Sequence, residues 1–216
     1  MNRAKTSPIF KDKEQCVVLN GLDTENIFHP YKDESSLVLK KKLGINNEKV
    51  VLHVTPEFSS SLNNIKGGYY VLELAKRMPD VKFIVAGPVM KNVITPKNMI
   101  LLGKVSDQKR LAALYSMSDV TILTSKKETF SMVTAETLSC GTPIVGFKSG
   151  APEMIALKEY SEFVEYGDIN AMHKAVLQML SRKFDKERMA FLSKKYSKEK
   201  MTENYIKVYD KLVSKR

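Results

Sequence analysis

Short apolar runs rich in β-branched residues alternate along this chain with longer segments that have helical periodicity. Runs of this kind are typical of strands buried on both faces of a parallel sheet. Strand–helix–strand alternation with short links predicts right-handed crossovers, and therefore an α/β protein with a Rossmann-like, doubly wound parallel sheet of about six strands. The predicted strands span residues 49–54, 81–86, 99–102, 120–123, 143–147 and 162–164.

Segments with a helical spacing of apolar residues separate and follow these strands. They predict helices at residues 68–78, 108–117, 131–140 and 171–180, and two basic amphipathic helices at 184–195 and 198–215. Asp107 or Ser106 can cap the second of these helices, and Asp168 can cap the fourth. A brief strand at 16–20 and a helix at 36–43 are predicted near the N-terminus.

The chain has 216 residues, of which 43% are hydrophobic, and this length suits one generous domain. We expect a lead-in segment over residues 1–45, the Rossmann-like body over 46–182, and C-terminal helices over 183–216 that pack on the same body. No run of about 18 apolar residues occurs, so no membrane span is predicted. Residues 1–10 lack the apolar core of a signal peptide, so a cytoplasmic location is expected.

The cysteines and histidines give no sign of a disulfide framework or a metal site. Cys16 and Cys140 both lie in apolar stretches, which is typical of structural free thiols. His29, His53 and His173 are scattered without the spacing of metal ligands. No metal is therefore expected.

The formal net charge of +11 is compatible with nucleic acid, an anionic membrane surface or an anionic ligand as partner. Many lysines lie in the last third of the chain, in the predicted amphipathic helices, and we favour a solvated helix face as their explanation. The sequence contains no aromatic-interleaved basic stripe and no nucleic-acid-binding module, so nucleic acid is not an expected partner.

Open parallel sheets bind ligands beyond the carboxyl ends of their strands, so each strand-to-helix junction is a candidate site. The junction at residues 55–68 is long and polar, and Lys66 and Gly67 stand where the next helix begins. Exposed N–H groups, the helix dipole and a lysine together suit a phosphate. The same residues also fit a flexible loop with an exposed lysine. Neither a P-loop nor a dinucleotide-binding fingerprint occurs.

The junction at residues 124–133 leads from a predicted buried strand into a helix that begins near Ser131. The first N–H groups of a helix have no intrahelical partner, so those of Phe130, Ser131, Met132 and Val133 can hold an anion. Glu136 follows on a helix face that is otherwise apolar. A carboxylate there is costly unless it is paired, so either ribose hydroxyls or an internal salt bridge would explain it.

Residues 128–146, ETFSMVTAETLSCGTPIVG, resemble the E-x7-E region of family 4 glycosyltransferases, with Glu128 and Glu136 as the two glutamates. Other segments are similar to that family in order and spacing. They are NGLDTENIFHP at 20–30, VAGP at 85–88, LGKV at 102–105, LYSMSD at 114–119 and SGAPE at 149–153. The resemblance covers roughly residues 16–180, and the ordered set is far more specific than any single motif.

The family has a two-domain GT-B fold, transfers sugar with retention and without a metal, and holds the nucleotide sugar in its C-terminal domain. The resemblance implies that this chain is one half of such a fold and takes a UDP-sugar or another nucleotide sugar. It implies that Glu128 contacts hydroxyls of the donor sugar and that Glu136 binds the ribose hydroxyls. Lys66 would neutralise the diphosphate as the leaving group gains charge.

Further donor-binding residues follow from the same resemblance. Backbone amides around Phe130, Ser131 and Met132 would hold the sugar or the diphosphate. Lys104 and Val105 would flank the base, chiefly through their main-chain groups.

Two departures from the family's pattern bear on activity. Many members carry an arginine a few residues before the matching lysine, whereas residues 54–65 contain no arginine and no lysine. This departure implies either a lower affinity for the diphosphate or a replacement cation, supplied by Lys126, Lys127 or another part of the protein. The family's N-terminal acceptor domain is absent, and the chain starts where the interdomain linker normally lies, which favours a fragment. We therefore expect the chain alone to bind donor nucleotide and to transfer sugar poorly or not at all.

The leading hypothesis is the donor domain of a hexosyltransferase that acts on a glycan or lipid-linked acceptor in cell-envelope polysaccharide synthesis. The alternative is a non-catalytic module that senses a nucleotide or nucleotide sugar, which the two departures favour slightly. A nucleic-acid-binding protein is supported by charge alone. The basic C-terminal helices allow peripheral contact at the inner face of the membrane. Without its usual partner, the stripe at residues 201–212 would favour self-association.

Overall fold

The computed structural model describes residues 2–214 and contains a six-stranded sheet. Its strands are β1 Lys49–Val54, β2 Val81–Ala86, β3 Met99–Leu101, β4 Val120–Leu123, β5 Ile144–Phe147 and β6 Ser161–Val164. They lie in the order β3-β2-β1-β4-β5-β6, and all neighbours are parallel. The predicted Rossmann-like, doubly wound parallel sheet is confirmed, and the strand ends that differ from the prediction do so by one residue.

Helices connect and flank the strands. They are α1 Asn2–Lys5, α2 Asp33–Lys42, α3 Gly68–Arg77, α4 Gln108–Met117, α5 Met132–Ser139, α6 Pro152–Ile155, α7 Ile169–Ser181, α8 Lys186–Leu192 and α9 Lys198–Val213. Asp107 caps α4 by accepting from Lys109 N at 2.9 Å, and Asp168 caps α7 by accepting from Ala171 N at 2.9 Å. Periodicity does not predict α6, because one turn is too short to show a repeat.

Two apolar cores lie on opposite faces of the sheet. Val51 packs with residues of α3 and α7, whereas its neighbours Val50 and Leu52 pack with residues of α4 and α5. Successive side chains of a strand point to opposite faces, so a strand between two helix layers is apolar throughout. This burial on both faces accounts for the continuous apolar runs of the sequence.

The predicted strand at residues 16–20 is wrong. Within residues 16–22, the backbone forms a β-bridge only at Leu22. Its N–H donates to Tyr196 O at 2.7 Å, and its carbonyl accepts from Lys198 N at 2.8 Å. An apolar run shows strand propensity, but it does not show whether a sheet edge is within reach. Cys16 is exposed, so the expectation of apolar surroundings holds for the buried Cys140 alone.

The C-terminal segment continues from α7 without further strands in the described chain. The predicted helix at 184–195 is α8 followed by a 3₁₀ turn, Ser193–Tyr196, and both contact α5. The last predicted helix is α9, and its expected end at Lys215 lies outside the described residues. No residue of α9 is buried, and four of its larger side chains are well exposed: Tyr205, Ile206, Tyr209 and Leu212. Within residues 2–214, no helix is both long and apolar enough to cross a membrane.

Candidate functional site

The order of the strands reverses between β1 and β4, and a crevice for ligands forms beyond the carboxyl ends of strands at such a point. The two junctions singled out in the sequence leave the sheet here, and hydrogen bonds join them. Thr124 Oγ1 donates to Lys66 O at 2.9 Å, and Lys126 N donates to Ile65 O at 2.8 Å. The β1–α3 and β4–α5 junctions therefore form one connected surface.

Lys66 and Glu128 meet on this surface. Lys66 Nζ lies 2.9 Å from Glu128 Oε1, and their side chains are 25% and 17% exposed. An ammonium has three donors and a carboxylate about four acceptor sites, so both groups keep capacity for a ligand. The fold thus brings together the two residues to which the resemblance assigns the chemistry, although 62 positions separate them in the chain.

Gly67 holds the start of α3 against the second junction. Its φ is +70°, and a Cβ in its place would lie 2.2 Å from the Thr124 carbonyl oxygen. Only glycine fits this position, because the approach is too close for any side chain. Gly67 gives α3 no side-chain cap, and the first turn of α3 contains no acidic residue. The positive end of this helix, beside Lys66, remains available to an anion.

The start of α5 forms a second group of backbone donors. Ser131 is its N-cap, and its Oγ accepts from Thr134 N at 3.3 Å. Among the described residues, nothing accepts a hydrogen bond from the N–H groups of Phe130, Ser131 and Met132. Ser131 also has a φ of +70°, which is rare for a residue other than glycine and recurs at functional sites. These three predicted donors therefore stand together and unpaired.

Glu136 has a partner that the sequence analysis did not identify. Its Oε2 accepts a hydrogen bond of 2.8 Å from the hydroxyl of Tyr115, a fully buried residue of α4.

No cation lies within salt-bridge distance of Glu136 among the described residues. Burial raises the pKa of Glu136, and the hydrogen bond from Tyr115 opposes that rise. The internal salt bridge is thus ruled out within the described chain, and Oε1 stays free of hydrogen bonds for a ligand. A tyrosine hydroxyl that is buried usually needs a hydrogen-bond partner. This requirement is the one sequence-based indication that Tyr115 could belong to the site.

A cleft of about 380 Å³ opens at the carboxyl ends of β1 and β2. Lys104 and Val105, the two residues expected to flank a base, both line it. The remaining lining residues come from the ends of the two strands and from α4: Val54, Thr55, Pro56, Ala86, Gly87, Pro88 and Leu111. Its volume is in the range of small-molecule sites, and most of its lining residues are apolar.

The two candidates for a second cation differ in their surroundings. Lys126 Nζ lies 5.6 Å from the centre of the Tyr166 ring, as in a cation–π contact. Lys127 is exposed and has no ion pair among the described residues. In the loop that lacks the arginine, Glu57 is hydrogen-bonded to Asn64, which in turn accepts from Lys66 N at 2.8 Å. Because Lys126 lies over the Tyr166 ring and Lys127 has no ion pair among the described residues, Lys127 is the more available of the two lysines.

His53 lies buried at the end of β1, below the junction. Its Nδ1 donates to Ile122 O at 3.2 Å, and its ring meets the edge of Phe58 at 5.9 Å between centres. Burial lowers the pKa of His53 to about 4, and the charge of Lys66 contributes to the decrease. The imidazole is therefore neutral near pH 7, and His53 does not add a second positive charge to that of Lys66.

The depressed pKa of His53 predicts a loss of stability in mild acid. Unfolding returns its pKa to about 6.5, so between pH 6.5 and 4 the unfolded chain binds more protons. Stability should fall as pH falls through this window, by about 3 kcal/mol for the whole shift. Urea unfolding at pH 7 and pH 4.5 should show a smaller pH dependence in His53→Gln than in the unaltered chain. The same pH dependence in both chains would contradict this assignment, and His173→Gln serves as the control.

Comparison with known proteins finds a matching family and curated relatives. The sequence model described as "Glycosyl transferases group 1" matches residues 57–182. The N-acetyl-alpha-D-glucosaminyl L-malate synthase of Bacillus anthracis is 29% identical over 156 residues, which make up 66% of this chain and 39% of that enzyme. The chain therefore spans well under half the length of this curated relative.

Solved structures share the fold of nearly the whole chain. A glycosyltransferase from Rickettsia africae superposes with a TM-score of 0.79 at 16% identity, over 98% of this chain and 61% of that protein. HepE of Anabaena, solved in complex with UDP-glucose, superposes with a TM-score of 0.70 at 18% identity, over 91% of this chain and 57% of HepE. The sheet and its helices form one half of a GT-B fold.

Proposed function

This chain belongs to the group 1 glycosyl transferases, and we propose that it binds the nucleotide sugar donor for a retaining sugar transfer. The observation that carries the proposal is the Lys66–Glu128 pair at the reversal of the sheet. It lies beside the uncapped start of α3 and the unpaired N–H groups at the start of α5. A cation, backbone donors and a carboxylate at one point suit a ligand that joins a diphosphate to a hydroxyl-rich group.

The diphosphate takes the positive part of the site. Lys66 and the N-terminus of α3 bind it from one side, and the unpaired N–H groups at Phe130, Ser131 and Met132 bind it or the sugar from the other. These donors are fixed in place before the ligand arrives, so they stabilise the charge that develops on the leaving diphosphate without reorganisation. Lys127 adds the second cation that the β1–α3 junction lacks. No metal is needed for this arrangement.

The sugar and the nucleoside take the remaining groups. Glu128 exchanges part of its pairing with Lys66 for hydroxyls of the sugar, and Lys66 then turns to the diphosphate. Glu136 accepts the ribose hydroxyls through the oxygen that Tyr115 does not occupy. The base enters the cleft between Thr55 and Lys104. Uridine is the proposed base, supported by the UDP-glucose bound to HepE, which has the same fold.

Titration calorimetry tests donor binding directly. UDP and a UDP-sugar should bind with micromolar affinity, uridine should bind much more weakly, and added EDTA should change none of these constants. GDP and ADP reveal the preference for the base. A folded chain that binds none of the three nucleoside diphosphates would overturn the proposal.

The hydroxyl of Tyr115 orients Glu136, so Tyr115→Phe should weaken UDP binding roughly tenfold while the chain stays folded. The loss should grow in mild acid, because the hydrogen bond holds down the pKa of Glu136. Calorimetry at pH 8 and pH 6 measures both effects. Tyr205→Phe, on the exposed face of α9, is the matched control. Equal affinities of Tyr115→Phe and the unaltered chain would contradict this role for the hydroxyl.

The chain on its own should bind donor and transfer no sugar at an appreciable rate. A GT-B site lies between two half-folds, and one half provides neither acceptor positioning nor exclusion of water. Joining the chain to an acceptor-binding half should restore transfer to a glycan or lipid-linked acceptor in cell-envelope polysaccharide synthesis. Donor binding without transfer by the joined protein would instead favour a non-catalytic, nucleotide-sugar-sensing module. A radiolabelled-donor assay with lipid and polysaccharide acceptors distinguishes the two.

A further inference from the structure

The loop that follows β5 supports the backbone of Glu128. Glu128 N donates to Ser149 O at 3.0 Å, and Glu128 and Gly150 form a parallel bridge between the two loops. Gly150 has a φ of +115°, which other residues rarely adopt. The position of the Glu128 main chain therefore depends on the shape of residues 149–150.

Glu153, in the first turn of α6, holds that loop in its shape. Its Oε1 accepts from Gly150 N at 2.9 Å, and its Oε2 accepts from Ser149 N at 3.2 Å. Both oxygens are thus used on consecutive backbone N–H groups. Hydrogen bonds to an ionised carboxylate are shorter and stronger than those between neutral groups, and two of them fix direction as well as distance.

These contacts form a continuous series from Glu153 to the sugar-binding carboxylate. Glu153 binds the N–H of Ser149, the carbonyl of Ser149 binds the N–H of Glu128, and the side chain of Glu128 meets Lys66 at 2.9 Å. We propose that Glu153 is a positioning residue that holds Glu128 in place and so determines how strongly the chain distinguishes a UDP-sugar from UDP. This inference rests on the proposed function, in which Glu128 contacts the sugar and UDP lacks that sugar.

A purely local role for Glu153 predicts a different result. If the carboxylate only stabilised the start of α6, its loss would lower stability and affect UDP and UDP-sugar alike. If it positions Glu128, its loss changes the part of the affinity that depends on the sugar. Glu153→Gln is suitable because the amide oxygen can accept one N–H, whereas the amide NH2 opposes the other.

The experiment compares five proteins: the unaltered chain, Glu153→Gln, Glu128→Ala, the double variant, and Glu162→Gln as a matched control on an exposed glutamate of β6. Calorimetry gives each Kd for UDP, UDP-glucose, UDP-galactose and UDP-N-acetylglucosamine. The sugar factor is the Kd for UDP divided by the Kd for the UDP-sugar that the unaltered chain binds best. Thermal unfolding monitors the fold, and Glu153→Asp, which keeps the charge on a shorter side chain, replaces Glu153→Gln if that variant is unfolded.

We expect Glu153→Gln to decrease the sugar factor roughly tenfold, as Glu128→Ala does, while the Kd for UDP changes by less than about twofold. The double variant should match Glu128→Ala, because residues that act through one another are not additive. A sugar factor unchanged in Glu153→Gln, an equal loss for UDP and UDP-sugar, or additive losses would each overturn the inference. Failure of the unaltered chain to bind any of the four ligands would instead refute the proposed function.

Discussion

Replacement of Glu136 by alanine is expected to reduce the affinity for UDP by about a hundredfold, since two charge-assisted hydrogen bonds to the ribose are lost at once. The carboxylate is fixed by Tyr115 before the ligand arrives, so little of its binding energy is spent on ordering the side chain. Calorimetry with UDP measures the change. Uridine should lose affinity by a similar factor, because the ribose is common to both ligands.

Two further results bear on the same residue. Glu162→Ala, on the exposed side of β6, should bind UDP as the unaltered chain does. Burial raises the pKa of Glu136, so the affinity of the unaltered chain for UDP should decline in mild acid as this carboxyl takes up a proton. Retention of UDP binding within threefold in Glu136→Ala would show that the ribose lies elsewhere.

Replacement of Gly67 by alanine should abolish UDP binding and destabilise the fold by about 3 kcal/mol, because a left-handed residue would acquire a Cβ in contact with backbone. The new Cβ would lie 2.2 Å from the Thr124 carbonyl oxygen, so the β1–α3 and β4–α5 junctions would have to separate. Their separation would displace Lys66 from Glu128. Urea unfolding and calorimetry with UDP measure the two effects.

Gly44 supplies a matched control for this substitution. Its φ is +67°, nearly that of Gly67, but a Cβ there would meet nothing within 4 Å. Gly44→Ala should therefore lower the free energy of unfolding by only about 1–2 kcal/mol and leave UDP binding unchanged. Equal effects of the two substitutions on stability and binding would refute the argument that the close approach of Gly67 to Thr124 forms the site.

The periodicity of the sequence is sufficient to predict the strands of the sheet, but it is not sufficient to predict the segments around the sheet. Strands such as β1 and β4 are buried on both faces, so their apolar runs are long enough to distinguish from the surrounding helices. Residues 16–20 have similar local propensity, but no strand accepts them, and propensity alone carries no information on available edges. The single turn of α6 is too short for any periodic signal.

The candidate site could be predicted where its residues stand at strand-to-helix junctions, and not where they act through other residues. Lys66 and Glu128 follow β1 and β4, which are neighbours in the sheet, so topology brings them together. Tyr115 and Glu153 reach the site through hydrogen bonds to Glu136 and to the loop at Ser149. Such contacts depend on how helices and loops pack, which the spacing of residues along the chain does not specify.

Backbone NMR of the chain during titration with UDP-glucose tests donor binding at this site most directly. We expect saturable shifts at the amides of Gly67 and Gly68, at Lys104 and Val105, and at residues 130–132, whereas the amides of α9 should not shift. The amides of residues 130–132 should shift most, because their N–H groups have no hydrogen-bond partner among the described residues. Shifts confined to other surfaces, or no shifts with millimolar ligand and an intact fold, would contradict the assignment of this crevice as a donor site.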